Sequence, residues 1–65
     1  MNFNVNDTVR FKTSSMMGVG LNRRGQIGKV IAVHQYPGQG GPMVDITFGD
    51  DDIERGIRVH ELEHA

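Results

Sequence analysis

The chain has no cysteine and no tryptophan, and its aromatics amount to three phenylalanines and one tyrosine. Without cysteine there is no disulfide framework and no thiolate metal site, and the redox compartment leaves no mark. The shortage of rings weighs against single-stranded nucleic acid as a ligand, because such binding relies on stacking platforms. The alternation leaves only Tyr36 facing solvent. No apolar run approaches the roughly 18 residues of a membrane span. The opening MNFNVNDTVRF lacks the basic start and apolar stretch of a signal peptide. A soluble, cytoplasmic protein with no membrane partner is therefore expected. No window keeps an apolar period of 3.6 residues, so no long helix is expected. The 65 residues show neither repeat nor linker and read as one domain, residues 1–65. At this size a domain buries only about 60% of its unfolded surface. Its core is thin, and with no disulfides a metal or oligomerisation is the remaining staple.

What is present points to strands and turns. Nine glycines and two prolines punctuate stretches rich in β-branched residues. Phe3, Val5, Val9 and Phe11 alternate with Asn4, Asn6, Thr8 and Arg10, predicting a strand broken near Asn6-Asp7 with one face buried. Residues 14–25, SSMMGVGLNRRG, form a long loop that is unusually apolar. QIGKVIAVHQY then reads as a long strand, with Val30, Ala32 and His34 on one side and Ile31 and Val33 on the other. Strands apolar on both sides fit a bent central position. YPGQGGP breaks the chain at 36–42. In MVDITF, Val44, Ile46 and Phe48 share a face opposite Asp45 and Thr47. After the turn Gly49-Asp50-Asp51-Asp52, the residues Ile53, Arg55, Ile57 and Val59 alternate with Glu54, Gly56 and Arg58, and Gly56 marks a bulge. Leu62 is the last apolar anchor. Four or five short strands are too few for a sandwich, and a small, highly bent barrel closes its own edges.

The net charge is −1, but its distribution is uneven. Arg10, Lys12, Arg23, Arg24 and Lys29 face a single acid, Asp7, in the first 35 residues. Arg55 and Arg58 face Asp45, Asp50, Asp51, Asp52, Glu54, Glu61 and Glu63 in the rest. Either the fold keeps the two halves apart and the surface is dipolar, or the signs intermix on folding.

Several motifs carry candidate chemistry. His60-Glu61-Leu62-Glu63-His64 spells H-E-x-x-H. That zinc motif needs a helix to bring both histidines to one face, with the glutamate as base. Extended, His60 and His64 would lie roughly 13 Å apart at ~3.3 Å per residue. The expected state is a closing turn with Leu62 inward and no bound metal. Gly18-Val19-Gly20 lacks the preceding strand and following helix of a phosphate cradle. Asp50-Asp51-Asp52 lacks calcium-loop spacing. Ser14 or Ser15 with His34 would be the only nucleophile and base, with nothing to orient them. No catalytic residue and no cofactor is assigned. The better leads are the paired Arg23 and Arg24, a grip for phosphate or carboxylate, beside Met16, Met17, Val19 and Leu21, which suit an adaptable interface.

N-D-T-V-R-F (6–11), G-x-x-G-K-V-I-A-V (25–33), V-D-I-T-F (44–48) and V-H-E-L-E (59–63) together resemble an SH3-like barrel. The spacing is most similar to the electron-transport accessory proteins: the small stromal subunit of photosystem I, the variable chain of ferredoxin–thioredoxin reductase and the C-terminal domain of the nitrile hydratase beta subunit. Gly25-x-x-Gly28-x-Val30 also resembles the KOW motif. The V-R-x-K and G-Q-I stretches are similar to type II dihydrofolate reductases, although Ile57-Arg58-Val59-His60 stands where those enzymes carry Val-Gln-Ile-Tyr. The resemblance implies an all-β, SH3-like five-stranded barrel with a long loop between its first two strands.

The function expected is that of a non-enzymatic binding or accessory module. It would dock on a protein partner, or on itself, through the 14–25 loop, with Met16, Met17, Val19, Leu21, Arg23 and Arg24 as contacts. One alternative is a KOW-like or Tudor-like nucleic-acid binder contacting phosphates through Arg10, Lys12, Arg23, Arg24 and Lys29. A second is a tetrameric reductase-like enzyme with a central pore.

Overall fold

The computed structural model describes residues 3–35 and 42–65. Their elements are β1 (Thr8–Phe11), α1 (Gly18–Asn22), β2 (Ile27–His34), β3 (Met43–Thr47), β4 (Ile53–Arg58), a 3-10 turn (Val59–Glu61) and β5 (Leu62–His64). The five strands form one antiparallel sheet in the order β4-β3-β2-β1-β5. This is the small, barrel-like all-β fold expected, with the long connection between the first two strands. The expected turn at 36–42 and the exposed Tyr36 lie outside the described residues, apart from Pro42, which precedes β3. No helix among the described residues is long and apolar enough to cross a membrane.

The core follows from period-two alternation wherever the strands are regular. Val9 and Phe11 of β1, Val30 of β2, Val44 and Ile46 of β3, Ile57 of β4 and Leu62 of β5 are all buried, together with Phe3. Leu62 sits opposite Phe11, so the last strand closes against the first.

Three irregularities shift the alternation and correct the expected faces. The first is at Asn6, whose φ is 80°. Asp7 builds a turn there: its carboxylate accepts from the Asn4 N–H at 2.8 Å, and its own N–H donates to the Asn4 carbonyl at 3.0 Å. Phe3 points inward, but Val5 is 51% exposed and does not share the face of Val9 and Phe11. The second is Ile31. Val30 pairs with Ile46 and Ala32 with Asp45, so β2 carries one residue more than β3 between those pairs. The bulge lets Val30 and Val33, three apart, both pack on the core, and Val33 lies opposite Val44. The expected set of Val30, Ala32 and His34 is thereby broken. The third is on β4, where Val44 pairs with Ile57 and Ile46 with Glu54. Gly56 supplies the expected bulge, with φ +69°, a backbone region glycine enters without penalty. Past that bulge Ile53 pairs with Thr47 rather than sharing the face of Ile57, and Glu54 lies beside Ile46.

Both sheet bulges flank Asp45, which is only 5% exposed. A buried carboxylate needs partners. Oδ1 accepts the Gly56 N–H at 2.9 Å, and Oδ2 lies 2.9 Å from His34 Nε2 and 3.5 Å from Arg55 Nη1. Bulges bend and twist the strands that carry them. Here they curl the sheet at the level where Asp45 ties β2, β3 and β4 together.

The H-E-x-x-H stretch is a 3-10 turn followed by a strand. His60 belongs to the turn, while His64 pairs with Val9, sets its ring tilted against that of Phe3 with centroids 4.5 Å apart, and reaches Asp7 at 3.4 Å. Leu62 is fully buried between them. Among the described residues no three His, Cys, Asp or Glu side chains gather in a metal-binding group.

Candidate docking surface

The 14–25 segment is not a loop throughout. Gly18–Asn22 forms a single helical turn, with Leu21 N–H donating to Met17 O at 3.3 Å and Arg23 N–H to Val19 O at 2.9 Å. One turn has too few residues to show a period, and it is unstable on its own. Tertiary contacts hold it. At the neck, Phe11 N–H donates to Gln26 O at 3.0 Å, Gly25 N–H to Phe11 O at 2.9 Å and Lys12 N–H to Glu61 O at 3.0 Å. Val19 packs on the core. Ser15 Oγ donates to Glu61 Oε1 at 3.1 Å. Gly20 is buried under this pair, and a Cβ there would lie 2.7 Å from Glu61 Oε1 and 2.8 Å from the Ser15 Cβ.

Arg23 closes the other side. Its Nε donates to Glu54 at 3.0 Å, and its Nη atoms donate to the two oxygens of Asp52 and to Gln26 Oε1. The guanidinium lies 4.2 Å from the centroid of Phe48, whose ring in turn stacks on Phe11 at 5.8 Å. The hydrogen bond to Asp52, set against the cost of partial burial, raises the Arg23 pKa above its ordinary value, and the same bond holds the Asp52 carboxyl below its own.

The six residues predicted to bind a partner therefore divide. Met16 is 79% exposed, Met17 74% and Leu21 42%, and Arg24 is also exposed. Val19 and Arg23 turn inward and fasten the turn to the barrel. Met17 lines a groove of about 190 Å³ together with Phe11, Val19, Ile57, Arg58 and Glu61. A larger cleft of about 400 Å³, lined by Phe3, Val33, Val44 and Val59 among others, opens next to Gln35 and Pro42, which flank the undescribed residues.

The five cations proposed for phosphate contact are not gathered into one free patch. Arg10 pairs with Glu63 at 2.7 Å and Arg23 with Asp52 and Glu54. Lys29 stands between Thr8 and Thr47 in the sheet. These pairs join the basic first half to the acidic second half, so the signs intermix on folding. Asp52, Glu54, Phe48 and Glu61 escaped sequence reasoning as parts of this surface; the only hint of them was the uneven charge. Ser15 is bound to Glu61, whereas His34 is bound to Asp45. Ile57-Arg58-Val59-His60 is divided between β4 and the 3-10 turn and is not a continuous strand.

No protein family, curated protein or solved structure matches the chain.

Proposed function

We propose that the protein is a non-enzymatic, cytoplasmic binding module of SH3-like type, docking on a protein partner through the helical turn of its first long connection. The observation that carries this reading is the pair Met16 and Met17, 79% and 74% exposed on a segment that Val19, Gly20 and Arg23 fasten to the barrel. Isolated apolar side chains on a surface need no explanation. Two adjacent thioethers and Leu21 beside an apolar groove are a different matter. The fastening by Arg23, Val19 and Gly20 means that little ordering cost is left to be met on association. The SH3-like part of the reading rests on the sequence resemblance of residues 6–11, 25–33, 44–48 and 59–63. The nucleic-acid reading is weaker because Arg10 and Arg23 are already neutralised by carboxylates.

The test is affinity capture with immobilised wild-type protein and a Met16→Ser, Met17→Ser double variant, both confirmed folded by thermal unfolding. Proteins retained by the wild type and lost by the variant support the reading. Identical retained sets, or retention that follows nucleic acid and vanishes after nuclease treatment, overturn it.

A further inference from the structure

We propose that the groove beside Met17 receives a lysine side chain of a basic partner peptide, with its aliphatic stem along the apolar lining and its ammonium on Glu61. This rests on the docking reading above and adds the chemistry of the ligand.

The groove combines the apolar residues Phe11, Met17, Val19 and Ile57 with one carboxylate, that of Glu61. Glu61 Oε1 accepts from Ser15 Oγ at 3.1 Å. A hydroxyl fixes the carboxylate in place without cancelling its charge. Oε2 has no partner among the described residues, and no buried side-chain oxygen among them lacks one, so Oε2 is open to solvent. No cation among the described residues stands within ion-pair distance of Glu61. Lys12 meets it through the backbone, donating its N–H to the Glu61 carbonyl at 3.0 Å. Arg58 also lines the groove but already has a partner. The charge left unanswered here is therefore negative.

Each part of that arrangement selects a feature of the ligand. At about 190 Å³ the groove is smaller than the sites of about 300–1,000 Å³ that enclose small molecules, and it suits a single side chain. Lysine lays its stem on apolar surface while its charged head stays at the polar end. A purely apolar side chain would strip water from the Glu61 carboxylate and return no partner. An aspartate, a glutamate or a phosphate would meet like charge. Because Ser15 holds Oε1, one oxygen is left for the ligand. That favours the point charge of an ammonium over the arginine fork, which takes two oxygens, as Arg23 does on Asp52.

Four labelled probe peptides test this by fluorescence anisotropy: leucine alternating with lysine, arginine, asparagine or aspartate. The lysine peptide is expected to bind about tenfold more tightly than the asparagine one, a difference of about 1.4 kcal/mol. The aspartate peptide should bind more weakly than either. Glu61→Gln keeps an acceptor for Ser15 and removes the charge, so it should erase the lysine advantage and leave the asparagine peptide unchanged. Met17→Ser should weaken both. Raising the salt from about 0.1 to about 1 M should narrow the lysine advantage of the wild type, and this comparison decides the matter if Glu61→Gln does not fold. A lysine advantage that survives Glu61→Gln or high salt overturns the proposal, as does tighter binding of the arginine peptide. Equal binding of the lysine and asparagine peptides, both lost in Met17→Ser, overturns the lysine ligand and leaves the docking surface standing. Failure of all four peptides, or binding that ignores Met17→Ser, overturns both. Tighter binding of the aspartate peptide or of a mixed-sequence DNA duplex overturns the proposal. So does a dimer in sedimentation that Met17→Ser dissolves, because a second copy then fills the groove.

Discussion

The guanidinium of Arg23 lies 4.2 Å from the centre of the Phe48 ring while its nitrogens hold Asp52 and Glu54. One side chain thus binds the first long connection to the β3–β4 turn, and it does so with the planar, multiply donating shape that lysine lacks.

Arg23→Lys should therefore behave much like Arg23→Ala. Both are expected to lower the midpoint of thermal unfolding and to raise amide exchange over residues 16–24 by about tenfold. Arg24→Ala should do neither. A lysine variant with wild-type exchange would show that charge alone holds the connection.

Asp45 gives the fold an acid limit. Burial pushes its carboxyl up, but the hydrogen bond of His34, that of the Gly56 N–H and the charges of His34 and Arg55 together outweigh burial, so its pKa lies below the ordinary value. The folded value is then lower than the unfolded value of about 3.9. Stability from this group is complete above about pH 4 and is lost as the pH falls through the folded value. Asp52, held down by Arg23, acts with the same sign. Asp45→Asn should cost about 1–3 kcal/mol at neutral pH. It should also flatten the fall of stability below pH ~4, measured by urea unfolding across a pH series. Parallel curves for wild type and variant would show that Asp45 has no part in it.

Leu62 is fully buried opposite Phe11, and the histidines around it have no shared face. Leu62→Ala is expected to cost about 2–5 kcal/mol, much of the roughly 3–10 kcal/mol available to a chain of this size. His60→Ala should change stability by less than about 0.5 kcal/mol. Adding zinc should leave the unfolding midpoint of the wild type in place. A zinc-dependent rise abolished by His60→Ala would restore the H-E-x-x-H reading.

Met16 and Met17 are exposed, whereas Met43 is half-buried in β3. Dilute hydrogen peroxide should convert the first two to sulfoxides, with water as the other product, before it reaches Met43. Peptide mass mapping of the folded protein reads the order directly. Early oxidation of Met43 would mean that the strand opens more readily than the turn.

The parts of the fold legible in the sequence are those where one local rule acts alone. Val9 and Phe11, Val44 and Ile46, and the isolated Leu62 declare their face by alternation, and Gly56 declares its bulge by interrupting an alternating stretch. Ile31 hides its bulge because Val30, Ile31, Ala32 and Val33 are all apolar, and a change of phase within such a run leaves no polar residue out of place. The turn at Asn6 hides for a related reason: Val5 continues the apolar pattern although Asp7 redirects the chain. In the docking surface, Met16 and Met17 were conspicuous because long apolar side chains are out of place in a connection. The inward role of Arg23 was not, since Asp52 and Glu54 lie 29 and 31 residues away and no local pattern links them.

β4 is an outer strand of the sheet, and its kink falls at Gly56. A straight outer strand offers a row of open amides and carbonyls on which another chain can add. Here the strand bulges at Gly56, whose amide is held by Asp45 of β3. A bulge of this kind twists an outer strand out of the straight line that edge-to-edge addition requires.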